Sequence, residues 1–495
     1  MLARVRDGLL AAVLLYAMLA VLYGNIVAQS VVGKIGLLSV GAAVIGLLVW
    51  RRAAIIAFAA GAAVHLRVPY GILVCLAVGL TARLVWGLGF PGTLHSDPAF
   101  YFQLARNLAF DGTYGDPEAL AFWPPGLPLA LVPIFWVFGA ALSAVVILNC
   151  FAFAATCWLT YDLGRRYFNS ASGHLAAWLV AVWPASILYA WVPAKELVAA
   201  PLVLGSIHAY LSASEGRSWI AKAAISGACV GAAALVHPSL ILLPLIFPLG
   251  TSVRGRLTGR TAAIFAVQIL FLGLVITPWT IRNAVTLERF VLISTNGGYN
   301  LYLGNNPDST GQWMHVEAVR ERFPGDEVAR DKLAAAAATR WIVQNPGRFA
   351  ALSARRVLLY LADDDSGAIW AIKRGHGHAG VAYEIARWAS NAWWFLVLLL
   401  AYCSIGRSGS LASDIAAAVF LYGVAVAAAV FGHSNHHMLY IGPLIGLAIA
   451  GLPVGRAIPD VADRVRIGTW TYGVEPSSLA RRTDRVGGVD DRREP

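Results

Sequence analysis

Two carboxylates and a set of cations stand out in an otherwise apolar chain: Asp97, Lys195 with Glu196, His237, Arg282, and His433, His436 and His437. Ionisable side chains beside long apolar runs are costly to keep there, so their positions carry information. One carboxylate can take a proton from an attacking hydroxyl while cations hold a phosphate leaving group, and that combination suits group transfer. Each residue also has a plainer explanation. Asp97 opens Ser96-Asp97-Pro98-Ala99-Phe100-Tyr101, where capping of a following helix accounts for it. Lys195-Glu196 reads equally as an ion pair at a hairpin tip, His237-Pro238 as a turn, and Arg282 as an anchor for the end of a span. Asp363-Asp364-Asp365 reads as a solvated acidic run. The spacing of His433, His436 and His437 is a weak metal pattern; a divalent metal stays open, and no other cofactor is indicated.

The elements that must position these residues follow from composition. The chain has 495 residues, 58% of them hydrophobic and 13% charged, against roughly 45–50% and 25% in a soluble domain. Its mean hydropathy is +0.65. Disorder, coiled coil and an ordinary cytosolic enzyme are excluded, and the fold class is an all-α polytopic membrane protein. Spans are expected at 9–29, 35–50, 70–90, 141–163, 173–191, 196–213, 219–236, 238–250, 262–280, 391–406, 413–431 and 438–454, a bundle of about twelve transmembrane helices. The run 53–66 is short and reads as an interfacial or re-entrant piece. Leu9 to Val27 reads as a retained first span, not a cleaved signal.

The net charge of +11 fits basic loops kept on the cytoplasmic side, and no nucleic-acid-binding module is visible. With Arg4 and Arg6 cytoplasmic, the same side collects Arg51, Arg52, Arg165, Arg166, Arg217, Lys222, Arg254, Arg256, Arg260 and Arg407. The opposite side then receives the long segments 91–140 and 281–390. Segment 91–140 holds an interfacial helix at 98–110 and a membrane-seated, non-crossing run at 126–139. Segment 281–390 holds two amphipathic helices, 326–343 and 347–361, the second started by Asn345-Pro346. The expected organisation is extra N-terminal spans at 1–69, a transmembrane core at 70–280 including the loop 91–140, an extracytoplasmic subdomain at 281–390, C-terminal spans at 391–455 and a disordered cytoplasmic tail at 456–495. The five cysteines sit in or beside apolar runs without metal-ligand spacing.

Two regions have a familiar pattern. His95-Ser96-Asp97-Pro98-Ala99-Phe100-Tyr101 continues through Arg106-Asn107-Leu108 to Gly112-Thr113-Tyr114, and Trp123-Pro124-Pro125-Gly126 follows. Further on stand Thr277-Pro278-Trp279-Thr280-Ile281-Arg282-Asn283 and Ser294-Thr295-Asn296-Gly297-Gly298-Tyr299-Asn300, then Gly304-Asn305-Asn306-Pro307. With the span pattern, residues 70–455 resemble the GT-C glycosyltransferases, and more narrowly glycosyltransferase family 39, which includes protein O-mannosyltransferases and lipid A aminoarabinose transferases. The resemblance implies a GT-C bundle and a polyprenyl-phosphate-linked sugar as donor. It further implies an envelope acceptor (lipid, polysaccharide or protein) and an inverting transfer on the extracytoplasmic face of a bacterial inner membrane.

By motif, the resemblance implies that Asp97 is the catalytic carboxylate and Glu196 the second acidic residue. Lys195, Arg282 and His437 are the candidates for the donor phosphate, and Tyr101, Tyr299, Asn300 and His237 for substrate contact. Trp123 and Tyr302, with Trp313, could stack on sugar or sit in an interfacial aromatic belt. The chain departs from the family at Trp123, where aminoarabinose transferases carry Lys, and at His436-His437-Met438-Leu439-Tyr440, where many relatives carry Arg-Tyr. The rival readings are a lipid-linked sugar flippase or secondary transporter and an O-antigen ligase-like transferase. A transporter is expected to show inverted repeats and mid-membrane charges. Here the charges gather at one rim.

Overall fold

The computed structural model describes residues 1–24, 31–68, 70–116, 119–312, 321–377 and 380–453. Trp313 and the tail 456–495 lie outside the described residues. Every regular element among those described is helical, as an apolar chain requires when its backbone can bond only to itself. The chain begins with α1 (Leu2–Gly24), α2 (Val31–Trp50), α3 (Arg52–His65) and α4 (Gly71–Gly89). Then come α5 (Ser96–Phe110), α6 (Gly126–Phe138), α7 (Leu142–Tyr167), α8 (Ser170–Ala181), α9 (Pro184–Leu188), α10 (Lys195–Glu215), α11 (Trp219–Val236), α12 (Leu243–Ser252) and α13 (Gly259–Leu287). The remaining helices are α14 (Gly297–Gly304), α15 (Glu327–Gln344), α16 (Pro346–Leu361), α17 (Val381–Ser404), α18 (Leu411–Ala429) and α19 (Ile441–Ala450).

Among the described residues seven helices are long and apolar enough to cross a membrane, or up to nine if each of two bent pairs is one span. Length and composition of the described helices thus support seven to nine of the expected twelve spans. Two of the expected spans break into short pieces. Pro238–Leu242 is a 3₁₀ turn leading into the ten-residue α12, and Ser434–Tyr440 is a 3₁₀ turn leading into the ten-residue α19. In α17 only the second half is apolar, because the first half carries Glu384, Arg387, Ser390 and Asn391. The run 53–66 forms α3, bent by 71° from Gly41–Trp50. The thirteen residues of α6 are too few to cross, as the sequence suggested. Helix α13, started by a Thr258–Thr261 capping box, continues to Leu287, so Arg282 lies inside a helix and does not open a loop.

The second bent pair carries the fold's main internal break. Helices α8 and α9 meet at 46° around Trp183-Pro184, which frees carbonyls in an apolar interior. Arg83 of α4, 1% exposed, answers them. Its guanidinium donates to Ala181 O at 3.1 Å, Val180 O at 3.4 Å and Ser186 Oγ at 2.9 Å, and also to Gly79 O in its own helix at 3.0 Å. It lies 3.7 Å above the Phe153 ring, which fits because Gly79 has no side chain: a Cβ there would sit 2.1 Å from Phe153. One turn on, Asn149 Nδ2 of α7 donates to the carbonyls of Tyr189, Ala190 and Val192 at 3.0–3.1 Å. These two side chains fix the irregular backbone that delivers Lys195 and Glu196.

The two ends of the bundle differ in charge. Arg6 of α1, Arg254 and Arg256 converge on Asp414 in the first turn of α18, which is 1% exposed at its side chain. The opposite end of α18, about 22 Å from Asp414 at 1.5 Å per residue, forms part of a cavity. Helix α10 has the same polarity: its N-terminus lines that cavity, while Gly216 beyond its C-terminus accepts from Arg260. Removing Arg83 tests the break. Arg83→Leu leaves several buried carbonyls unpaired and is expected to lower stability by on the order of 3 kcal/mol. Thermal unfolding in detergent measures this, and an unchanged melting temperature contradicts the role given to Arg83.

Candidate functional site

A cavity of about 500 Å³ lies at the end of the bundle away from the Asp414 cluster. Its walls come from the N-termini of α5, α10 and α14, the turn after α11, the C-terminal turns of α18, and the 3₁₀ segment before α19. Asp97, Lys195, Glu196, His237, Tyr101, Tyr299 and Asn300 all face it. Thus residues separated by more than two hundred positions are brought to one chamber by helix ends.

Asp97 sits in the first turn of α5. Ser96 before it has φ of +52°, a left-handed conformation that a non-glycine residue adopts at a cost. The helix is not capped by a side chain, and the Asp97 carboxylate makes no hydrogen bond or ion pair among the described residues. The capping explanation for Asp97 therefore gives way to a half-buried carboxylate directed at a cavity. Glu196 is 3% exposed and accepts from Asn435 Nδ2 at 3.2 Å. The Lys195 ammonium stands 5.7 Å from the centre of the Tyr101 ring and has no carboxylate within ion-pair distance among the described residues. Burial and the charges of Asp97 and Glu196 push the Tyr101 phenol well above its ordinary range, and its hydroxyl has no hydrogen-bond partner. Tyr101 is therefore a neutral phenol within electrostatic reach of both carboxylates.

The opposite wall is a row of imidazoles. His237 Nδ1 is 2.7 Å from Ser239 Oγ, and its ring packs edge-on against His436 at 5.5 Å. His433 follows at 5.9 Å from His436. Burial, reinforced by the Lys195 charge, pushes His237 down to about 3. Burial and the neighbouring His237 and Lys195 likewise hold His436 well below the ordinary imidazole range. These rings act as neutral groups at physiological pH. Among the described residues no three His, Cys, Asp or Glu side chains come together as a metal site.

The loops around the chamber are stitched by charged groups bonded to backbone. Glu327 of α15 accepts from Ala121 N at 3.2 Å and from Thr295 Oγ1 at 2.7 Å. Asp331 accepts from Gly298 N at 2.7 Å and Tyr299 N at 3.2 Å, which holds the start of α14 against α15 and turns Tyr299 and Asn300 to the cavity. Gly298 permits this approach, since a Cβ there would lie 2.0 Å from the Asp331 carbonyl oxygen. Arg356 of α16, fully buried, donates to Ala428 O at 2.8 Å, to Asn305 Oδ1 at 3.0 Å and to Gly304 O, joining the ends of α14 and α18.

Two of the expected phosphate ligands are elsewhere. Arg282 donates to Leu120 O at 2.7 Å and Tyr114 O at 2.8 Å, with its guanidinium 4.9 Å over Trp279. It fastens the loop after α5 and does not line the cavity. His437 is also behind the wall. Its Nδ1 is 3.0 Å from Tyr360 O, its Nε2 is 2.9 Å from Asp364 Oδ1, and its ring stacks on Trp394 at 4.0 Å. Asp364 in turn accepts from Trp183 Nε1 at 2.7 Å, so this member of the acidic run is buried and paired, not solvated.

Arg374 was not singled out by sequence. It ends a π-helical segment, Ile369–Arg374, lies 4.3 Å over the Trp370 ring, and lines the cavity with an exposed guanidinium free of ion pairs among the described residues. Its position inside a long loop, where basic residues say nothing about topology, hid it. The Trp-x-x-x-Arg spacing was the one available signal.

No protein-family model matches the chain, and no curated protein matches its sequence. Solved structures similar to it include the archaeal oligosaccharyltransferase AglB from Archaeoglobus fulgidus in complex with an inhibitory peptide and a dolichol-phosphate. That match has 14% identity and a TM-score of 0.46 over 77% of this chain and 50% of that one. ArnT from Cupriavidus metallidurans bound to undecaprenyl phosphate is similar at 14% identity and a TM-score of 0.42, covering 77% of each chain. The chain thus spans about half the length of the archaeal oligosaccharyltransferase.

The neutral imidazole wall has a consequence for acid stability. Between about 3 and the ordinary value of 6.5, the unfolded chain binds a proton at His237 that the folded chain refuses. Stability is therefore full above pH 6.5 and falls as pH drops, by about 1.4 kcal/mol per pH unit for each such imidazole. Melting temperatures between pH 7.5 and 5.5 should fall more steeply for wild type than for His237→Gln. Equal slopes would show that His237 is freely protonated.

Proposed function

We propose that this chain is an integral membrane glycosyltransferase that moves a sugar from a polyprenyl-phosphate donor to an envelope acceptor on the extracytoplasmic face of a bacterial inner membrane. The observation that carries the reading is the Asp97 carboxylate, unpaired among the described residues, facing the same cavity as Lys195 and Arg374, two cations likewise unpaired among the described residues. The motif resemblance around Asp97, Arg282 and Tyr299 supports it. So does the charge polarity of α10 and α18, which puts the cavity away from the basic loops.

In this reading Asp97 accepts the proton of an acceptor hydroxyl as its oxygen attacks the anomeric carbon. The new carbon–oxygen bond forms while the bond from the anomeric carbon to the phosphate oxygen breaks, and the electron pair leaves with the polyprenyl phosphate. Lys195 and Arg374 hold that phosphate, the planar Arg fork matching two of its oxygens. A single displacement inverts the anomeric centre. Glu196, fixed by Asn435, orients the acceptor hydroxyl beside Asp97. The neutral rings of His237 and His436, with Tyr299, form the wall against the sugar face.

Reconstituted protein given a panel of polyprenyl-monophosphate sugars and an envelope extract tests this reading. Wild type is expected to transfer one of them, and Asp97→Asn to lose at least about a hundredfold in rate without a change in melting temperature. Equal transfer by a folded Asn variant removes Asp97 from the chemistry.

A further inference from the structure

Among the described residues, four buried polar atoms on the cavity walls lack a hydrogen-bond partner: the Tyr101, Tyr360 and Tyr440 hydroxyls and the Asn435 side-chain oxygen. Buried polar groups are nearly always paired, and each exception calls for an explanation. Four exceptions on one chamber point to a ligand that brings its own hydroxyls. Tyr101 and Asn435 stand beside the two carboxylates and belong to the reacting end. Tyr360 and Tyr440 have no carboxylate beside them, and neither is used by the reacting end.

Tyr360 is nearly the last residue of α16 and is 1% exposed. Its position is fixed from behind. The Tyr360 carbonyl meets His437 Nδ1 at 3.0 Å, His437 Nε2 meets Asp364, and Asp364 is held by Trp183 and by its own backbone N–H on Asn391 Oδ1 at 2.8 Å. In front, its hydroxyl reaches the face of α18 at Gly423, lying 3.0 Å from the place a Cβ would occupy there. Gly423, Val426 and Ala427 leave that face of α18 small and apolar where it lines the cavity. Tyr440 stands alongside, its hydroxyl near Ser239. The result is a pocket wall of small apolar groups with two buried phenols, of which Tyr360 is the one held from behind through His437 and Asp364.

We propose that Tyr360 reads one hydroxyl of the transferred sugar, which makes it a specificity-determining residue and not a catalytic one. The inference rests on the glycosyltransferase reading. A site built to bond a substrate hydroxyl rejects the analogue lacking it, because the buried protein group is then left unpaired. The substrate class this defines is a donor glycose with a free hydroxyl at one ring position, pointed away from the anomeric carbon. The backing by His437 and Asp364 explains why those two residues are fully buried and paired without touching the chamber.

The test uses the donor that wild type transfers, beside each of its monodeoxy forms, with wild type and Tyr360→Phe. Wild type should discriminate against one deoxy donor by a hundredfold or more in kcat/KM (on the scale of hydroxyl-reading sites). Tyr360→Phe should lose activity on the hydroxylated donor, keep its activity on that one deoxy donor, and so abolish discrimination at that position alone. An unchanged melting temperature shows that the phenylalanine variant is folded. If the variant loses activity equally on all donors, or keeps the wild-type discrimination, Tyr360 does not read the sugar and the inference falls alone. If wild type transfers no sugar from any donor of the panel, the glycosyltransferase reading falls and takes this inference with it.

Discussion

The structure depends on one constraint: every break in a helix inside an apolar bundle must have its carbonyls met by a buried donor. The chamber exists because helices α5, α10 and α14 begin there and α18 ends there. Helix ends expose unpaired backbone groups, which are tolerable only when side chains answer them. Arg83 and Asn149 do so for the break that leads into α10. Arg356 does so where α18 and α14 end. These three side chains do not line the chamber, yet they hold the backbone of its walls.

The same logic separates positioning residues from those that face the chamber. Arg282 and His437 carry chemistry that could grip a phosphate, but their nitrogens are spent on carbonyls and on a buried carboxylate. Lys195 and Arg374 are the reverse. They rest against aromatic rings and keep their charge open to the cavity. A cation whose donors are already satisfied by the protein is a brace. One whose donors are free in a chamber is available to a ligand.

Much of this was legible in the sequence. The apolar runs, the helices at 96–110, 327–344 and 346–361 and the short, non-crossing α6 follow from periodicity and proline placement. Asp97 was marked by its neighbours in sequence, and the chamber indeed collects it with Glu196, Lys195 and His237. Other features depend on contacts that no linear pattern encodes. The form of two expected spans was not legible, because Pro238 and the histidine run before α19 turn apolar stretches into 3₁₀ turns and short helices. The solvated look of Asp363-Asp364-Asp365 conceals that Asp364 faces Trp183 and His437, 181 and 73 positions away. Arg282 announces a charge near a span end, but only the fold shows that the charge faces Leu120 and Tyr114. Arg374 is hidden for the opposite reason, because a π-helical turn aims it at a cavity that the sequence does not outline.

The central claim is that the chamber holds a lipid-linked phosphate between Lys195 and Arg374. Binding of undecaprenyl monophosphate to the purified protein in detergent tests it most directly, with wild type compared to Lys195→Gln, Arg374→Gln and the double variant. The account predicts that each single change weakens binding about tenfold or more, on the scale of one lost charge-assisted hydrogen bond, that the double change weakens it further, and that all four proteins share one melting temperature. Equal affinity in wild type and the double variant would contradict it, and would place the phosphate elsewhere on the molecule.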